Sequence, residues 1–231
     1  MTSTPALLVL SACSTAIIHA LIPDHWLPFA LLARAENWSE RRLLSLVGLT
    51  GALHVLVSLS LGAALALAGS AAARMAERIG TSLETIAGAL LILFGIAYGV
   101  WAHRREARAH DRGVAAHDGP TPARLHAHGH LLSRWVGHRA SAWALVAIIG
   151  ISPCVLLQPI LFASAAEGTG VALAAGAGFA ACTIATMLVV TAVARRGLER
   201  IALVFFTHWG DLLSGLIIAA IGVVVVCEGL G

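Results

Sequence analysis

The chain of 231 residues is 58% hydrophobic and 12% charged, with a formal net charge of +3 and a mean hydropathy of +0.86. A soluble domain carries about 25% charged residues and fewer apolar ones, so this composition excludes a water-soluble globule, a disordered chain and a nucleic-acid-binding domain. The pI near 9.0 comes from arginine alone, set in short clusters between long uncharged stretches. That pattern belongs to an integral membrane protein.

A helix needs about 20 apolar residues to cross about 30 Å of hydrocarbon. No side-chain charge occurs in 1–23, 43–73, 85–102, 140–166, 168–194 or 212–227. These stretches predict six spans, near 5–33, 43–70, 82–102, 141–165, 169–193 and 202–227. Pro23 and Pro28 break the first, because a proline inside a helix removes a backbone donor and clashes with the preceding turn. Leu10-Ser11-Ala12-Cys13 has the form of a lipoprotein cleavage box, but residues 1–12 hold no basic side chain. A secretory signal opens on a basic region, so the segment reads as a span.

With six spans, both termini share one side with the loops near 70–82 and 166–168, and that side holds only Arg74 and Arg78. The other thirteen arginines, from Arg34 to Arg200, fall on the opposite side. Basic loops remain cytoplasmic, which predicts external termini and a cytoplasmic linker over 104–139 in a bacterial inner membrane.

The two halves, 1–103 and 140–231, resemble each other at a displacement of about 130 residues. Ile22-Pro23-Asp24 falls on Ser152-Pro153-Cys154, and each proline is followed by another, Pro28 and Pro159. Gly48, His54 and Ser58 fall on Gly176, Cys182 and Thr186, while Glu84, Gly88 and Gly95 fall on Asp211, Gly215 and Gly222. Three spans per repeat is an odd number, so the halves insert in opposite directions. Inverted repeats with broken helices are the architecture of secondary transporters, whose sites form near the midplane. The expected fold is therefore all-α, six transmembrane helices arranged as two inverted three-helix repeats.

The first span carries His19-Ala20-Leu21-Ile22-Pro23-Asp24-His25. Two imidazoles and a carboxylate in hydrocarbon are costly unless they pair, face a cavity or bind an ion. On a straight helix His19 and His25 would point about 120° apart, but unwinding at Pro23 can turn Asp24 and His25 back toward His19. His54, about mid-depth in the antiparallel second span, is the natural fourth ligand. Imidazole and carboxylate suit late first-row divalent ions such as nickel, cobalt and zinc. Buried histidines bonded to neighbouring carbonyls are the alternative.

This H-x4-D-H pattern in a first membrane helix resembles the signature of the nickel/cobalt transporter family, with its nickel/cobalt efflux and membrane urease-accessory relatives. The family motif usually reads His-Ala-x-Asp-Ala-Asp-His, which places His19, Ala20, Asp24 and His25 on its positions. Here Ile22 stands for an acidic residue and Pro23 for alanine. The resemblance implies transport of a divalent metal ion, with a histidine of the following helix, here His54, close to the site. Ser152-Pro153-Cys154-Val155-Leu156 in the fourth span resembles the Pro-Cys motif of membrane thiol-disulfide carriers of the cytochrome c maturation type. Such carriers need two membrane cysteines, and the repeat position facing Cys154 is Asp24. Cys182, at similar depth in the next span, is the candidate second thiol. Cys154 and Cys182 also read as soft ligands from the second half.

Glu84 and Asp211 are repeat-related carboxylates at the starts of their spans. The helix dipole accounts for them there, and proton coupling is the sharper reading. Seven of the eleven histidines lie between His103 and His138. Gly113, Gly119 and Pro120 end the third helix before His117, and His126-Ala127-His128-Gly129-His130 is a tract that binds such metals without a special fold.

The resulting expectation is a transporter of nickel, cobalt or zinc, not an enzyme and without a permanent cofactor. Its metal ligands would be His19, Asp24, His25 and His54, with Cys154 and Cys182 as a second-half site. Coupling would fall to Glu84 and Asp211, and cytoplasmic buffering to His126, His128 and His130. Efflux is the expected direction, since the efflux relatives carry a histidine-rich loop. The partners are the bilayer and the ion, with self-association open. The competing readings are a thiol-disulfide carrier acting through Cys154 and a membrane factor delivering metal to an enzyme.

Overall fold

A computed structural model describes residues 3–68, 70–115, 140–200 and 205–230, with side chains placed over 3–64, 81–101, 103–104, 140–197 and 212–227. The described residues are almost all helical, with no strand among them. In chain order these are α1 (Thr4–Leu21), α2 (Leu27–Ala35), α3 (Glu40–Ala68), α4 (Ser70–Ala115), α5 (Ala140–Ile151), α6 (Leu157–Glu167), α7 (Thr169–Arg200) and α8 (Phe205–Leu230). Four segments are long and apolar enough to cross a membrane: Thr4–Leu21, Glu40–Ala64, Thr81–Trp101 and Thr169–Gly197. Ala140–Ile151 and Leu212–Cys227 are shorter apolar helices.

The stretch expected as a first span over 5–33 is two helices, as its prolines require. Ile22, the residue before Pro23, is extended (φ −61°, ψ 133°), because the proline ring disfavours the helical region for its neighbour. Pro28 then sits in the first turn of α2, where a missing N–H is harmless. The region expected as one span over 141–165 repeats this arrangement. The chain leaves the helix over 152–156 at Pro153, and Pro159 falls in the first turn of α6. Gly168 between α6 and α7 has φ 126°, a conformation that glycine alone adopts without strain. Helix α4 runs past its apolar segment as far as the described residues extend, to Ala115, and the helix end expected before His117 lies outside them.

Helix α4 packs on α8, α1 on α7 and α6, and α3 on α7 and α6. The α4–α8 seam is built on glycine. A Cβ at Gly95 would stand 2.5 Å from Gly215 O, and one at Gly222 would stand 2.6 Å from Gly88 O. Small residues let membrane helices approach this closely, where packing and not apolar burial drives association.

Two apolar clusters fill the interior. One gathers Phe29, Leu32, Leu43, Leu145, Met187 and Ile218; the other gathers Ala16, Val55, Leu157, Ala175 and Phe179. The outer surface is also apolar, with Leu10, Ile18, Leu56, Leu93, Leu173 and Val189 all at least 60% exposed. An apolar surface of this extent suits lipid contact. The α2–α3 turn is polar: Trp38 donates to Glu36 and accepts from Arg195 through its carbonyl, while Arg42 stacks on its ring at 4.5 Å.

Candidate metal site

The site forms where the two helix breaks meet α3. Unwinding at Pro23 folds His25 back toward His19, so that their ring centroids lie 4.6 Å apart, a distance the 120° offset of a continuous helix would not allow. His54 enters from α3, its centroid 5.6 Å from that of His19 and 4.9 Å from that of His25. Three imidazoles thus enclose one small volume.

Cys154 reaches the same volume from the second break. One donor atom each of His19, His54 and Cys154 lies within 4.8 Å of the others, and His54 and Cys154 are fully buried. Nε2 of His19 and both ring nitrogens of His54 have no hydrogen-bond partner. Buried polar atoms are nearly always paired, and each neutral imidazole carries one lone-pair nitrogen, so His19 and His54 each bring one nitrogen that can meet an electrophile beside the Cys154 thiol. The backbone of Ile149 and Ser152, where α5 ends, lies within hydrogen-bonding reach of the His54 ring, although neither contact has the geometry of a full hydrogen bond.

Asp24 points at its neighbour, and its carboxylate is hydrogen-bonded to Nδ1 of His25. This leaves Nε2 of His25 as the nitrogen free to meet an ion. A carboxylate behind a histidine fixes ring orientation and raises ligand basicity. The structure thus places Asp24 behind His25, where the sequence suggested a direct ligand. Glu84 on α4 acts electrostatically on both His25 and Cys154.

The backbone of the second break is held by Ser58. Its hydroxyl accepts from Cys154 N at 2.8 Å and donates to His54 O at 2.7 Å. Gln158 donates to Ser58 O and to Cys154 O, each at 3.2 Å. Ser58 entered the sequence reading only as a repeat position. Its spacing of four from His54 already set both on one helix face, and that was the available signal.

Cys182 is absent from the cluster. It lies one turn along α7 from Gly178, over which the Cys13 sulfur sits, so the structure brings Cys182 toward Cys13 and Cys154 toward the histidines. Asp211 lies on α8 with its side chain outside the described residues, and His126, His128 and His130 lie outside them altogether. No family model, curated protein or solved structure matches the chain.

Proposed function

We propose that the protein is a six-span transporter of a divalent transition metal ion in a bacterial inner membrane. His19, His54 and Cys154 bind the ion, and His25, oriented by Asp24, completes the set. The observation that carries this reading is the convergence of buried imidazole nitrogens and a thiol within 4.8 Å, with the nitrogens left unpaired. Nitrogen and sulfur donors favour nickel, cobalt and zinc over magnesium, calcium and manganese, which prefer oxygen. Glu84 is the coupling carboxylate in this reading, with Asp211 its counterpart, and the linker histidines buffer ions exported from the cytoplasm.

The contacts of the third helices support an inverted repeat. Gly88 meets Gly222 and Gly95 meets Gly215, and the displacement that maps Gly88 on Gly215 and Gly95 on Gly222 exchanges one contact for the other. Broken helices meeting at mid-depth are the usual place for a transported ion. The neighbours of Cys154 are imidazoles, which supports an ion ligand over a redox thiol at that position.

Flux of nickel, cobalt, zinc and manganese into proteoliposomes tests the proposal. One of the first three ions should cross, manganese should not, and His54→Ala should abolish the flux. Cobalt bound to the wild type should show a sulfur-to-metal charge-transfer band that Cys154→Ser removes. Cobalt binding without flux of any ion would favour metal delivery to an enzyme, and neither binding nor flux would sink both metal readings.

A further inference from the structure

A second pair of reactive groups lies apart from the histidines, between α1 and α7. The two helices run side by side in the same direction: Cys13 stands nine residues after the start of α1, and Gly178 nine after the start of α7. The Cys13 Sγ atom occupies the notch over Gly178, where a Cβ would approach it to 2.8 Å. Cys182 stands four residues on from Gly178, one turn further along the same face of α7, which sets its thiol beside that of Cys13. Both residues are half-buried and both thiols are free. The metal reading uses neither.

Of the two cysteines, Cys13 lines a groove of about 550 Å³ between the two helices, whose walls include Pro5, Val9, Leu10, Val171 and Ala174. The groove therefore reaches toward the end of the bundle that holds the start of α1 and the α6–α7 turn. The arginine distribution assigns that end to the outside, the compartment where disulfides form and persist.

We infer that Cys13 and Cys182 are a reversible dithiol–disulfide pair, oxidised by exchange with an external disulfide. Cys13, at the groove, attacks one sulfur of the incoming disulfide as its thiolate. The incoming S–S bond breaks, a mixed disulfide forms and one thiolate leaves. The Cys182 thiolate then attacks the Cys13 sulfur, closing the S–S bond between α1 and α7 and expelling the second thiolate. The two protein thiols lose two electrons, the incoming disulfide gains them, and the two protons pass to the departing thiolates. The bond ties α1, which carries His19 six residues on, to α7.

The test uses an aromatic disulfide, dithiodipyridine, on the purified full-length protein in lipid nanodiscs. In a Cys154→Ser/Cys227→Ser variant, two equivalents of thiopyridone should be released with no pyridyl group retained, and the mass should fall by two hydrogens. Adding Cys182→Ser should change this to one equivalent released and one pyridyl group held on Cys13. Digestion of the oxidised wild type should give one linked peptide pair containing Cys13 and Cys182, which keeps the test independent of how the variants fold. Pyridyl adducts on both cysteines, unreacted thiols, or a link from Cys154 to either residue would overturn the inference. None of these readouts depends on ion flux, so the transport reading stands or falls separately.

Discussion

The chain leaves the helix twice, at 22–26 and at 152–156, and the two breaks differ in whether a partner from another helix is needed. At the first, the partners are local. Ile22 N donates to His19 O, Leu27 N to Pro23 O, and the Trp26 indole to Leu21 O. The second has local bonds too, Gln158 N to Val155 O and the Gln158 side chain to Cys154 O, but Cys154 N is bound from across the bundle by the Ser58 hydroxyl. A self-contained break can present side chains, and this one presents Asp24 and His25. A break that depends on another helix instead fixes its position relative to that helix. Cys154 is thereby locked to His54 through a single hydroxyl that touches the backbone of both.

Removing that hydroxyl is the strongest way to break the contrast. Ser58→Ala leaves the buried Cys154 N–H without its acceptor, and an unsatisfied buried group costs about 1–3 kcal/mol. Unfolding in a graded detergent titration should show that loss. Cobalt affinity should fall as well, because two of the three clustered donors lose their common tether. A variant of wild-type stability and affinity would mean that the second break holds itself, as the first does.

Asp24→Asn acts on the first break. The amide oxygen can still accept from Nδ1–H of His25, so ring orientation is partly kept and only the charge is lost. Outer partners of metal-bound histidines are worth about 10–100-fold in affinity, and this conservative change should cost about tenfold, the lower end of that range. Equilibrium cobalt binding reads it directly. A loss as large as that of His54→Ala would show Asp24 to be a ligand itself, as the sequence first suggested.

Much of this arrangement was legible in the sequence. The charge-free stretches fall on the helices, and Pro23 and Pro153 sit in the two breaks. The approach of His19 and His25 followed from proline and a 100° step per residue. What could not be read was rotation about the axis of α7. Expected depth alone made Cys182 a neighbour of Cys154, since the sequence sets both near the middle of adjacent apolar stretches. The face of α7 that meets α1 is set by Gly178, whose missing side chain admits the Cys13 sulfur. With that face against α1, Cys182 goes to Cys13. Hydrophobic periodicity gives no warning, because α7 is apolar on all sides. The role of Ser58 was hidden for a related reason: a serine in an apolar helix defaults to its own i−4 carbonyl, which Ser58 does bind, and its second bond to Cys154 N depends on a residue 96 positions away.

The smallest effect belongs to Trp26, and it sharpens the claim that the first break is self-contained. Its indole donates to Leu21 O at 3.2 Å, a carbonyl left over where α1 ends. Trp26→Phe keeps the ring and removes the donor, so only that bond is tested. A single exchanged hydrogen bond is worth about 0.5–1.5 kcal/mol, and this one is exposed, so its loss should fall near about 0.5 kcal/mol. If the break is self-contained, its remaining bonds from Ile22 and Leu27 keep Asp24 and His25 in place, and cobalt affinity should stay within about twofold of wild type, the factor that 0.5 kcal/mol allows. A tenfold loss of affinity with little loss of stability would mean that the indole holds the geometry of the break. The first break would then depend on one contact as the second depends on Ser58, and the difference between them would lie only in the partner's distance along the chain.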